Sequence, residues 1–155
     1  MIRVGDLLPY FSLFNQNNKS RKNDDYHGKW MVLFIYPRDD TPGCTMEAMG
    51  FSARKSEFER LNTAVVGLSD DDVTSHESFC NKHKLFVELL ADPQAKLLKE
   101  LGFGQKEWQG KLYWNRTTLI VNDKGAVRFI YENVSPEGHE KEVLSRLHKL
   151  QEENH

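Results

Sequence analysis

The stretch Trp30-Met31-Val32-Leu33-Phe34-Ile35-Tyr36-Pro37-Arg38-Asp39-Asp40-Thr41-Pro42-Gly43-Cys44 decides how the rest of the chain is read. Its first seven residues are all apolar or aromatic, and Pro37 ends the run. Such a run, bounded by a breaker, predicts a central strand buried on both faces. Arg38 to Gly43 is rich in turn formers. A helix is then expected from about Cys44 to Leu61, with Ala48, Phe51, Phe58 and Leu61 near one face.

Working outward, a short strand is expected at Tyr10 to Phe14, followed by a polar loop from Asn15 to Asp25. Ala64 to Leu68 is a second apolar run and predicts another strand. Asp72 to His83 predicts a helix, with Asp70-Asp71-Asp72 placed to cap it rather than to bind metal. Leu85 to Ala91 is a third apolar stretch. Pro93 is positioned to start a helix whose apolar face is Leu97, Leu98 and Leu101. Thr117 to Val121 and Ala126 to Tyr131 are strand-like, and Asn122-Asp123-Lys124-Gly125 joins them as a hairpin. A last helix is expected from about Pro136 to Glu152, with Val143, Leu144, Leu147 and Leu150 on one face. Alternating strands and helices that close on a hairpin and a helix predict a three-layer α/β domain with a mixed sheet.

The chain has 155 residues, which fits one domain over 1–155. Its 21 basic and 23 acidic residues leave a net charge of −2, which gives no reason to expect nucleic acid or an anionic membrane as partner. The first residues, Met1-Ile2-Arg3-Val4-Gly5-Asp6, hold no long apolar core, and the run 30–36 is too short to span a bilayer. A cytoplasmic location is expected. Only two cysteines occur, Cys44 and Cys80. In a reducing compartment they are either small buried hydrophobes or reactive groups.

Cys44 falls at or in the first turn of a helix, just past the carboxyl end of a strand. Reactive groups of α/β sheets collect there. Unpaired N–H groups and the positive end of the helix dipole favour an anion at that point, and the thiolate is the nucleophilic form of cysteine. Thr41, three residues earlier, can aim its hydroxyl at the same spot. Arg116, at the entrance of the strand 117–121, is the candidate cation.

Tyr36-Pro37-Arg38-Asp39-Asp40-Thr41-Pro42-Gly43-Cys44-Thr45 resembles the peroxiredoxin signature Pro-x-x-x-Thr-x-x-Cys. In its longer form it is similar to the bacterioferritin comigratory protein (PrxQ) subfamily. Val4-Gly5-Asp6, Val32-Leu33-Phe34, Val66-Gly67-Leu68-Ser69, Leu90-Ala91-Asp92-Pro93 and Arg116-Thr117-Thr118-Leu119-Ile120 extend the resemblance in order along nearly the whole chain. The resemblance implies a thioredoxin-like fold and a peroxidase that needs no metal, haem or flavin. It implies Cys44 as the peroxidatic cysteine that becomes a sulfenic acid. Thr41 would hydrogen-bond the thiolate and the peroxide, Pro37 would shield the pocket, and Arg116 would stabilise the charge that develops as the O–O bond stretches.

Many members carry a resolving cysteine five residues after the first, and Met49 stands there instead. Another branch places it on the next helix, where Cys80 lies 36 residues after Cys44. The resemblance therefore implies a Cys44–Cys80 disulfide in the oxidised protein, formed after local unfolding, since two helices seldom hold cysteines within disulfide reach. It also implies hydroperoxides as substrates, thioredoxin or a similar dithiol as reductant, and a monomer. The competing expectations are resolution by an external thiol with Cys80 merely packed in the core, and a redox-sensing or chaperone-like role on the same scaffold. The absence of Cys-x-x-Cys argues against a thioredoxin-type disulfide oxidoreductase.

Of the remaining groups, His76, Cys80 and His83 share a helix face that permits metal binding, but a solvated polar face is the expectation. His139, His148 and His155 suggest no site. Trp108, Tyr113 and Trp114 flank a Gly-Lys turn and either line the approach to the active site near Arg116 or cover the edge of the core, the second being the expectation.

Overall fold

The computed structural model describes residues 1–153. Seven strands make one sheet in the order β2-β1-β5-β4-β3-β8-β9. The central strand is β3 (Trp30–Ile35). It pairs in parallel with β4 (Thr63–Ser69), which pairs in parallel with β5 (Glu88–Ala91). On its other side β3 runs antiparallel to β8 (Thr117–Val121), and β8 to β9 (Val127–Tyr131). β1 (Ser12–Asn15) closes the far side, antiparallel to both β5 and β2 (Ser20–Lys22). The sheet is mixed, as expected.

The side-chain alternation of β3 builds two cores at once. Trp30, Val32, Phe34 and Tyr36 face one core, while Met31, Leu33 and Ile35 face the other. The first core is covered by α1 (Pro42–Ala53), α2 (Lys55–Arg60), α3 (Val73–His83) and α5 (His139–Glu153). The second is covered by α4 (Lys96–Leu101) and by Ile2, Phe11 and Tyr26 from the N-terminal segment. These are the three layers of a thioredoxin-like fold. Gly67 of β4 is needed where the layers crowd: a Cβ there would lie 2.7 Å from Leu89 Cδ2 and 2.8 Å from Phe34 Cζ.

Several boundaries differ from the sequence-based expectations. Part of the expected loop 15–25 is structured: β2 returns alongside β1, and a short 3-10 helix, Asn23–Tyr26, buries Tyr26. The expected helix 44–61 is two helices, broken at Arg54, whose N–H turns back to the carbonyls of Phe51 and Ser52. Pro93 does not begin α4. Ala95 takes a left-handed conformation, and the Asp92 carboxylate instead accepts from the N–H groups of Lys96 and Leu98. The third apolar stretch is a strand only from Glu88, and α5 begins at His139 rather than Pro136. Asp72 does cap α3, its carboxylate accepting from Ser75 N–H. An added hairpin, β6 (Gln105–Trp108) and β7 (Lys111–Trp114), stands apart from the main sheet. Its Trp114 is buried and covers the core edge as expected, but Trp108 is 63% exposed and does not.

Candidate active site

Pro37 ends β3, and the chain turns through Asp39 and Asp40 to Thr41, the residue before α1. Pro42 occupies the first helical position, where its missing N–H costs nothing. The first N–H with an acceptor within the helix is that of Thr45, which donates to the Thr41 carbonyl at 2.8 Å. The preceding turn, with Cys44 in it, therefore keeps its positive dipole end. Cys44 is only 1% exposed. Arg116, from the loop before β8, reaches it: Nη2 donates to Cys44 Sγ at 3.3 Å, and Nη1 donates to Glu47 Oε1 at 2.8 Å. Gly43 permits this approach, because a Cβ there would stand 3.1 Å from Arg116 Nη2. Pro37 and Arg116 share the wall of a cleft of about 240 Å³ with Tyr113, Trp114, Asn115 and Val134.

Two of the expected site residues stand differently from their expected contacts. The Thr41 hydroxyl donates to the Arg38 carbonyl at 3.0 Å, within the turn rather than toward the sulfur. Cys80 is a free thiol buried in α3, in the same core cluster as Cys44. Burial, with a smaller contribution from the Asp39 charge, pushes its thiol up to about 11.

Residues not anticipated as parts of a site form two buried networks around Cys44. The first ties the Cys44 loop to α3. The Asp39 carboxylate accepts from Tyr36 Oη at 2.6 Å, His76 Nδ1 at 2.7 Å and Ser75 Oγ at 2.8 Å. His76 Nε2 donates to the Leu90 carbonyl at 2.9 Å, so both ring nitrogens face acceptors. Next to it, Asp40 pairs with Lys82 at 2.7 Å and His83 at 2.8 Å. The expectation of a solvated polar face for His76, Cys80 and His83 is therefore corrected. His76 is fully buried and Cys80 nearly so, because both fall on the apolar face of α3 with Phe79. Asp39, Asp71 and His76 bring ligand-type atoms within 4.8 Å of one another. Hydrogen bonds already engage them, Asp71 accepting from Ser69 Oγ and Asp39 N–H, so the donor set fits a proton-bearing network better than a cation.

The second network lies behind Arg116. Glu47 is fully buried on α1, and burial, opposed by Arg116 and assisted by Glu140, raises its carboxyl to about 7. His139 is also buried, with Nδ1 at 2.6 Å from Glu142 and Nε2 at 2.7 Å from Thr118 Oγ1. This corrects the view that His139 suggests no site; His148 is exposed on α5, and His155 lies outside the described residues. Spacing could have revealed both residues. Glu47 lies three residues from Cys44, and His139 begins the apolar stripe that continues through Val143, Leu147 and Leu150.

The model of the AhpC/TSA family matches residues 4–130. The chain belongs to that family. A Helicobacter pylori relative named peroxiredoxin bcp is 39% identical over 149 residues, covering 94% of this chain and 98% of the relative. The chloroplastic peroxiredoxin Q of Populus jackii is 37% identical, covering 96% and 70%. Among solved structures, a cysteine-to-serine variant of Xylella fastidiosa PrxQ superposes with a TM-score of 0.93 at 29% identity, covering 97% and 98%. The protein is thus a peroxiredoxin of the bcp/PrxQ kind with a thioredoxin-like fold, a thiol peroxidase with hydroperoxides as substrates and a thiol as reductant.

Proposed function

We propose that Cys44 is the peroxidatic nucleophile and Cys80 its resolving partner. The observation that carries this reading is the Arg116 contact to Cys44 Sγ at the dipole end of α1. The guanidinium and the unpaired helix N–H groups favour a thiolate in a site otherwise closed to water. The thiolate attacks one oxygen of the hydroperoxide. The O–O bond breaks, sulfur is oxidised to a sulfenic acid, and the leaving oxygen departs as alkoxide or hydroxide and takes a proton. Arg116 faces the charge that builds on those oxygens. Thr41 contributes by swinging its hydroxyl from the Arg38 carbonyl to the peroxide, and Pro37 keeps water out.

Resolution then joins Cys80 Sγ to Cys44 Sγ and releases water. A buried thiol held up to about 11 is a poor attacker in the closed fold, so α3 opens first. A dithiol protein of the thioredoxin type reduces the disulfide. Resolution by an external thiol is the rival, favoured by the burial of Cys80. Steady-state reduction of hydrogen peroxide with a thioredoxin system, compared across wild type, Cys44→Ser and Cys80→Ser, tests both steps. Cys44→Ser is expected to abolish turnover, and Cys80→Ser to remove the thioredoxin-dependent part. Activity retained by Cys44→Ser overturns the nucleophile; unchanged turnover in Cys80→Ser overturns the resolving role.

A further inference from the structure

Glu47 Oε2 is buried and has no hydrogen-bond partner among the described residues. His139 Nε2 lies 4.0 Å from it. An unpartnered carboxylate oxygen inside a core is costly. The groups around it explain how the cost is met. Arg116, from the loop before β8, holds the other oxygen, Oε1. From α5, Glu140 presses its carboxylate toward Gly50 on the same helix as Glu47, adding negative charge. On its own helix, Cys44 competes for the same guanidinium. Around His139, the Glu142 carboxylate meets Nδ1, Thr118 of β8 meets Nε2, and the rings of Phe51 and Tyr131 pack edge-on. Tyr131 in turn interacts with Arg146.

With Nδ1–H donating to Glu142, a neutral His139 offers the Nε2 lone pair to whichever donor is near. The Thr118 hydroxyl uses it at 2.7 Å. A proton on Glu47 Oε2 would make a second, competing donor, and about 1 Å of side-chain movement brings it into hydrogen-bond range. We propose that Glu47 and His139 form a proton-holding pair behind Arg116, in which His139 is a positioning residue whose Nε2 accepts from protonated Glu47, and that this proton determines how much of the Arg116 charge is left for Cys44. When Glu47 is protonated, the guanidinium faces one anion, the thiolate. When Glu47 is ionised, two anions share one cation. Burial raises the Glu47 carboxyl and lowers the His139 imidazolium, so acid and neutral imidazole coexist near neutrality.

The coupling to Cys44 rests on the reading of Cys44 as nucleophile, but the pair itself does not, and the test separates them. Infrared titration of the reduced protein reads the carboxylic-acid C=O band, with Glu47→Gln assigning it. His139→Phe keeps a ring of similar size and removes only the acceptor, so the acid form loses its partner. The Glu47 midpoint is expected to fall by about one pH unit, a tenfold change in its proton affinity. His139→Gln, which keeps an acceptor, should recover at least half of that shift. Thr118→Val removes the competing donor and should move the midpoint up. A midpoint unmoved by both His139→Phe and Thr118→Val overturns the pair. In a second arm, iodoacetamide alkylation of Cys44 against pH should show a step at the infrared midpoint that Glu47→Gln abolishes. A step that survives Glu47→Gln overturns the control of Arg116. If Cys44 proves inert to peroxide while the infrared arm behaves as stated, the nucleophile assignment has failed and the pair stands.

Discussion

Replacing His76 with Asn probes how the helix carrying Cys80 is held. In the native protein the His76 ring is fully buried between the Asp39 carboxylate, 2.7 Å away, and the Leu90 carbonyl, 2.9 Å away. Removing one partner of a buried ion pair costs roughly 3–5 kcal/mol, because a charge is left uncompensated. The lower end applies here, since Asp39 keeps the hydroxyls of Tyr36 and Ser75. At about 1.4 kcal/mol per factor of ten, a loss of about 3 kcal/mol raises the population of forms in which this pair is broken by roughly a hundredfold. If α3 opens by leaving Asp39, its amides should lose protection against hydrogen exchange by that factor. Formation of the Cys44–Cys80 disulfide after one equivalent of peroxide should accelerate, up to the same limit. Exchange followed by mass spectrometry over residues 73–83, alongside the β3 and β4 amides as a measure of global stability, provides the check. Unchanged protection in α3 while the β-strand amides fall a hundredfold would refute the reasoning. It would mean that the pair breaks only in global unfolding, and that Asp39–His76 is not the hold on Cys80.

Two further outcomes follow from the site. Glu47 holds its proton in the folded state up to about pH 7, against an ordinary 4.5 in the unfolded chain. Stability therefore falls as pH rises from 4.5 to 7 and levels beyond, by about 3 kcal/mol from this group. Urea denaturation at pH 5 and pH 8 should show the advantage of Glu47→Gln over wild type growing by nearly that amount, and an advantage independent of pH would count against a buried protonated Glu47. Gly43→Ala should act in opposite directions on fold and function. Alanine is the better helix former by roughly 0.5–1 kcal/mol, but its Cβ would press on Arg116 Nη2 from 3.1 Å. Unchanged or improved thermal stability is expected with a several-fold slower reaction of Cys44 with peroxide, measured by stopped flow.

The parts of the fold that the sequence discloses are those where one pattern has one physical outcome. The apolar run 30–36 could only be a strand covered twice, and it supplies alternate residues to both cores. The turn Thr41-Pro42-Gly43 announced a helix start, and Arg116 reached the cysteine it was expected to reach. The failures have two causes: a competing local partner outweighed the expected one, or the deciding partner lies far away in sequence. Pro93 is a good first residue for a helix, but Asp92 captures the N–H groups of Lys96 and Leu98, four and six residues further on. The break at Arg54 involves neither proline nor glycine. Thr41 was expected to face the sulfur, yet its hydroxyl donates to the Arg38 carbonyl within the turn. His76 was expected on a solvated polar face, and His139 was expected to mark no site. Their spacing to Phe79, and to Val143 and Leu147, put them inside. Which buried acid each would meet could not be read, since Asp39 lies 37 residues from His76 and Glu47 lies 92 residues from His139.

On the proposed reading of Cys44 as the nucleophile, the buried sulfur needs charge from its surroundings. Excluding water removes the solvent that would otherwise stabilise a thiolate, so the protein must supply fixed charge instead. It does so with one guanidinium and one helix end, and it places a second acid, Glu47, on the far side of that guanidinium. A carboxylate that stayed ionised there would cancel much of what Arg116 contributes. A carboxyl raised to about 7 does not have to, because it can hold a proton while keeping the hydrogen bond that aims the arginine. Glu47 thus holds Arg116 through Oε1, and the charge of that acid, rather than its position, is what varies.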